Sequence, residues 1–463
     1  MKTFDTLAIA HADDLIFGRC PHPVRLKNGL EIGNGVVYPE INFTLPPMAI
    51  TRETMPQVRQ EYTQIINAVC TRALELHAPG LIVEFEMLPD MTLVPEWGIE
   101  IVQILRAALD HFAAKGLKSG LRVTPNDIRE FARPPLLREG KYWDNMLLSF
   151  AGSAAQGADM LAIESTGGKE IHDNAILNAD VPTIAFALGV LASRDMEFLW
   201  DHIVRISEEH GIIASGDSAC GFANTAMVLA EGHNIPRVLA ALIRAMSVPR
   251  SLIAYERGAV GPSKDCAYEG PFIKAITGYP IALEGAEAAC AHLSPIGNIA
   301  KATADLWSNE SVQNVRLLGG MAPVVSVEQL LYSTRLMNAA TNQGDTAAHS
   351  LRDCFVLSDG SLDPQAYILR PDVVIEISQV IVAAPTPYLR TRAAGLKALE
   401  ILRRAQGSGE IKLARTEAKW LDRLSAQLDA VPEDEAELIA EVIPTLEMHK
   451  VRLDQYLLPV AIG

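Results

Sequence analysis

Three stretches of the chain carry residues suited to metal chemistry: LAIESTGGKE with Glu164, ASGDSACGFANTAM with Cys220, and ERGAVGPSKDCAYEG with Cys266. Each begins with or follows a short apolar run of strand type and breaks into a Gly-containing loop near the carboxylate or thiol. Two thiolates and one carboxylate on separate loops suit a zinc ion with three protein ligands and a fourth position left open, the arrangement of catalytic rather than structural zinc. A cysteine is more often a small core residue. Cys70 and Cys290 fit that role in Ala-rich helical stretches, and Cys20 and Cys354 lack suggestive neighbours. Cys220 and Cys266 differ because their loops are polar and hold Asp217, Lys264 and Asp265. Six scattered cysteines without a CxxC pair make a disulfide framework a poor reading.

The elements that must position these residues alternate. Apolar runs of strand type occur at 81–85, 121–123, 160–163, 183–187, 212–214, 252–255, 281–283 and 315–318. Segments with helical spacing lie between or after them, at 97–115, 142–156, 195–210, 224–246, 285–306 and 327–342. Parallel βα units in that number predict an α/β fold, a (β/α)8 TIM-type barrel, with a doubly wound open sheet as the competing arrangement. Residues 1–50, rich in Gly and Pro, read as an N-terminal arm; 51–343 as the barrel with the zinc site; and 344–463 as a helical C-terminal extension. Functional side chains of such barrels sit at the C-terminal ends of strands. Glu164, Asp217, Cys220 and Cys266 all follow strands, and Glu84 and Glu86, two apart on one strand, face the same side.

Composition removes other classes. A hydrophobic share of 49% supports a large core, while a net charge of -16 lacks the basic face that nucleic acids require. The N-terminus has acidic residues where a signal peptide needs an apolar core, and no uninterrupted apolar run reaches membrane-spanning length, so a cytoplasmic location away from membranes is expected. His172 and His292 belong to no HExxH pattern, the Gly pairs at 167–168 and 319–320 suit tight turns, and no GxGxxG or P-loop is present.

A long ordered set of motifs resembles one family. LEIGNGVVYPEIN (30–42), WGIE (97–100), DIRE (127–130), ESTGGKE (164–170), GDSACGFANTAM (216–227), PRSLIAYERGAVGPSKDCAYE (249–269), IKAITGYP (273–280), CAHLSPIGN (290–298), WSNESV (307–312) and DPQAY (363–367) are similar to the zinc-dependent methanol:corrinoid methyltransferases, in their substrate-activating B subunit. The resemblance spans nearly the whole chain. It implies a (β/α)8 barrel with added helices, Zn2+ held by Glu164, Cys220 and Cys266, and transfer of a methyl group from methanol or a related methyl or methoxy donor to a Co(I) corrinoid. No DxHxxG cobalamin signature is present, so the corrinoid should arrive on a partner protein, in a homodimer or a hetero-oligomer with that protein.

Two consequences follow from the ligand set. A dication among three anionic ligands is a weaker acid than one held by neutral imidazoles, so a nearby group should assist the departing oxygen; Asp217, Glu84, Lys264 and Tyr255 are the candidates. Ala219 stands where the family pattern has an acidic residue, which implies a roomier pocket open to larger methyl donors. Two other classes would use the same barrel differently: a zinc hydrolase or lyase would turn over without a corrinoid, and a binding protein that had lost catalysis would carry no metal.

Overall fold

Seven parallel strands form one curled sheet, in the spatial order Ile213–Asp217, Met160–Ile163, Ser119–Thr124, Leu81–Glu86, Tyr38–Thr44, Leu306–Val312 and Ala282–Glu284. The structure, a computed structural model, describes residues 2–44, 48–264, 266–291, 293–312 and 316–458. An extended segment at 260–263 fills the gap between the two sheet edges. On one side the Val260 and Gly261 amides donate to Ala214 O at 2.9 Å and Ser215 O at 2.8 Å; on the other Ser263 bridges Ile281 in parallel. That eighth position completes a TIM-type barrel. Gly261 is required there: its φ is +77° and a Cβ would lie 2.4 Å from the Pro280 carbonyl oxygen.

Three expected strands are not barrel strands. The run at 183–187 is helical, within Val181–Phe186 and the π-helical Ala187–Ala192. Pro182 stands in the first turn, and the Thr183 amide donates 3.3 Å to Asp180 Oδ1, an N-cap that outweighs the β-branched composition. The run at 252–255 belongs to the helix Arg237–Arg257, which is buried along nearly its whole length and so shows no amphipathic period. The run at 315–318 lies partly outside the described residues; its Arg316–Leu317 pairs with Gly320–Met321 in a separate two-stranded ribbon. Tyr38–Thr44, the 260–263 segment and Leu306–Val312 take the vacated places, so the arm expected at 1–50 ends as a barrel strand.

Inside the barrel, Arg122 on Ser119–Thr124 makes a wholly buried ion pair with Glu40 on Tyr38–Thr44, with Nε–Oε1 at 3.0 Å. The same guanidinium donates to Pro262 O at 3.1 Å and Ser263 O at 2.7 Å. One side chain thus ties the irregular closing segment to the regular sheet. The helix Arg237–Arg257 is long and apolar enough to cross a bilayer, yet all of its most apolar window is buried inside the fold. The C-terminal helix Pro387–Ser408 packs on it, and Arg390 meets Glu256 at 2.6 Å in a buried ion pair.

Candidate metal centre

Glu164 follows the strand Met160–Ile163 directly, Cys220 opens the π-helical turn Cys220–Asn224 beyond Ile213–Asp217, and Cys266 lies beyond the closing segment. π-Turns recur at functional sites because they redirect side chains that an α-turn would stack. One ligand atom from each residue lies within 4.8 Å of the other two, and the Cys266 thiol donates 3.0 Å to Glu164 Oε1. The trio expected from the sequence is therefore together in space, at the barrel mouth.

The donor set fits a soft or borderline dication. The hydrogen bond with Cys266 pulls the Cys220 thiol down, but burial and the charges of Glu164 and Glu284 outweigh it and raise that thiol to about 12. Burial, then the proximity of Cys220, pushes Cys266 well above its ordinary value. Two thiols that hold their protons so tightly become thiolates only with a cation among them, and thiolates select zinc over magnesium or calcium.

A cavity of about 400 Å³ opens above the trio, its wall including Glu164, Cys220, Glu86, Asn126, Asp127 and Asn224, with Val228 and Leu229 on an apolar side. Glu86, and not the expected Glu84, lines this cavity. Both face the barrel interior, but Glu86 is one repeat nearer the strand end and reaches the cavity, while Glu84 is wholly buried. Asn42 Nδ2 donates to Glu86 Oε2 at 2.9 Å. Burial, then the charge of Glu164, raises the Glu86 carboxyl to about 8.

The four proton-donor candidates are buried and do not line the cavity. Lys264 is buried, with Nζ 3.3 Å from Glu164, 3.2 Å from Glu84 and 3.7 Å from Glu86. Glu84 also accepts from Thr124 Oγ1 at 2.6 Å. Asp217 is held by Trp200 Nε1 at 3.0 Å and Arg250 at 3.1 Å. Tyr255 is buried with its Oη 2.8 Å from where a Cβ on Gly216 would stand, so the glycine makes room for it. Ala219 is fully buried, its amide donating 2.7 Å to Glu269 Oε1, and its methyl is not part of the cavity wall.

Residues 1–456 match the family model described as methanol-cobalamin methyltransferase B subunit. The chain belongs to that family. A curated member, the methanol–corrinoid protein co-methyltransferase of Methanosarcina barkeri, is 38% identical over 438 residues, covering 94% of each chain. The methanol:cobalamin methyltransferase complex MtaBC of Methanosarcina barkeri holds a chain that superposes with a TM-score of 0.93 at 36% identity, covering 98% of this chain and 100% of that one. As a B subunit of this family, the chain is a methyltransferase built on a TIM-type barrel.

Proposed function

We propose that this B subunit moves the methyl group of methanol to the cobalt of a corrinoid carried by a separate protein, using a zinc ion held by Glu164, Cys220 and Cys266. The observation that carries this reading is the convergence of those three ligand atoms within 4.8 Å beside the cavity, in a chain of this family. Zinc in that place supplies Lewis acidity toward the oxygen of the alcohol, whose C–O bond otherwise breaks slowly because hydroxide leaves poorly.

The chain's own residues do the rest. Lys264 sets a positive charge 3.3 Å from Glu164 and so offsets part of the anionic excess among the ligands. Glu86 is the carboxyl on the cavity wall, raised by burial above its ordinary value, and is the group placed to give the departing oxygen a proton. In balance, the C–O bond of methanol breaks, the methyl group joins Co(I) to give methyl-Co(III), and the oxygen leaves as water with the proton from Glu86. The partner's corrinoid face would close over the cavity, and Val228 and Leu229 give that side an apolar lip.

The test combines the zinc-loaded protein, a corrinoid protein and a reductant, with methanol as donor, and follows the cobalt absorbance. Conversion of Co(I) to methyl-Co(III) that depends on this chain is expected. Absence of methylation with methanol and with a panel of methoxy donors, in a zinc-replete sample, overturns the proposal, and turnover of methanol without any corrinoid would point to hydrolytic or lyase chemistry instead.

A further inference from the structure

Each thiol of the trio has a neutral polar partner that the methyl transfer itself does not use. Asn224 closes the π-helical turn opened by Cys220, and that wider turn brings its Nδ2 to 3.6 Å from Cys220 Sγ. Asn224 is only 8% exposed, and its Oδ1 has no partner among the described residues. An apolar residue would avoid that desolvation cost, so the contact with sulfur is what the amide gains there. Ser218 is fully buried on the other side, with Oγ 3.4 Å from Cys266 Sγ. The Ala267 amide donates to the same oxygen at 3.1 Å and fixes it in place. In the thiol form Cys266 is the donor; once Cys266 is a thiolate, the Ser218 hydroxyl must turn and donate to it.

We infer that Asn224 and Ser218 are positioning residues whose hydrogen bonds to Cys220 and Cys266 draw electron density off the two sulfurs and so set the acidity of the metal they hold. This rests on the proposed ligand set and deepens it. A dication with two unassisted thiolates and a carboxylate is a poor Lewis acid. A donor on each sulfur stabilises its lone pairs, lessens its donation to the metal, and orients it toward the ion; partners of this kind typically change metal affinity or activity by about 10–100-fold when removed. The arrangement gives the site strong soft ligands for retention without the full loss of acidity that thiolates bring.

The experiment uses the full chain loaded with Co2+ in place of zinc, in wild type, Asn224→Ala, Ser218→Ala and the hydroxyl-retaining Ser218→Thr. Two readouts are independent of methyl transfer: the sulfur-to-cobalt charge-transfer absorption and the apparent metal affinity in competition with a chelator. Removing a donor raises the sulfur lone-pair energy, so the band should move to longer wavelength in both Ala variants, with affinity changing about 10–100-fold, while Ser218→Thr keeps the wild-type band. Methyl transfer should fall in kcat with KM for methanol little changed. Bands unmoved in both Ala variants that still bind Co2+, or a Thr variant shifted as far as the Ala one, overturn the inference while leaving the ligand set intact. A wild-type protein with no sulfur-to-cobalt band overturns the ligand set and this inference with it.

Discussion

Two buried charge clusters sit within one barrel and are built on opposite terms. In the interior, Arg122 pairs with Glu40 and also donates to the carbonyls of Pro262 and Ser263. At the mouth, among the described residues, Lys264 is shared by Glu84, Glu86 and Glu164, with the two raised thiols alongside. The interior cluster is complete and holds the wall together. Among the described residues the mouth brings three carboxyl groups to one lysine, an unfavourable arrangement that a bound cation would relieve. Charge imbalance, more than burial or polarity, separates the region that does chemistry from the one that supports it.

The sharpest way to break the contrast is to remove a ligand. Cys220→Ala and Cys266→Ala should each lower zinc, measured by elemental analysis, from about one per chain to near none, and methyl transfer by roughly 10³-fold or more; full zinc occupancy in either variant would contradict the assignment. Glu86→Gln should keep its zinc yet lose roughly 10²-fold in kcat, the contribution of a single proton donor. An unchanged kcat would return attention to the four buried candidates.

On the interior side, Arg122→Met leaves Glu40 buried without its partner and should cost about 3–5 kcal/mol in urea unfolding. The double variant Arg122→Met with Glu40→Leu should recover much of that loss, as a complete pair allows and an unbalanced cluster does not. The smallest effect lies beside the mouth at Glu170, which accepts from Tyr456 Oη at 2.6 Å and which burial raises to about 7. A carboxyl raised above its ordinary value of 4.5 stabilises the fold most below that pH and loses the contribution as pH rises through about 7. Glu170→Gln should therefore flatten the fall in Tm between pH 5 and 8 by roughly 2–4 °C; an unaltered slope would show that Glu170 titrates normally.

Legibility in the sequence followed side-chain direction. The strands around 81–85, 121–123, 160–163, 212–214 and 281–283 carry apolar runs that announce them, even where Glu84 and Arg122 turn into the barrel interior. Tyr38–Thr44 and Leu306–Val312 do not, because the barrel interior they line is polar, with buried Glu40 and Asn42 on one and Ser308 on the other, and because Asn309 on the opposite face is polar as well, donating to Glu287. Pro262 and Gly261 disguise the closing segment in the same way. Glu164, Cys220 and Cys266 stand out in the sequence because thiols in polar loops are unusual, and the structure brings the three together. Glu86 was not separable from Glu84, since depth within a barrel depends on where the strand stops. Ser218 and Asn224 flank Cys220 in the chain, but the aim of Asn224 at Cys220 depends on a π-turn, and that of Ser218 on where the loop of Cys266 folds, and no spacing rule foretells either.

The buried helix Arg237–Arg257 has a consequence for how the protein is made. Its cover includes Pro387–Ser408, and the charge on Glu256 finds its partner only when Arg390 has been synthesised. At translation rates of about 5–20 residues per second, the chain between residues 257 and 408 takes roughly 8–30 s to appear. For that interval a segment apolar enough to pass for a membrane span is without its native cover on the ribosome, so the yield of this enzyme in a foreign host should respond to chaperone supply and to slower growth more than to any property of its finished surface.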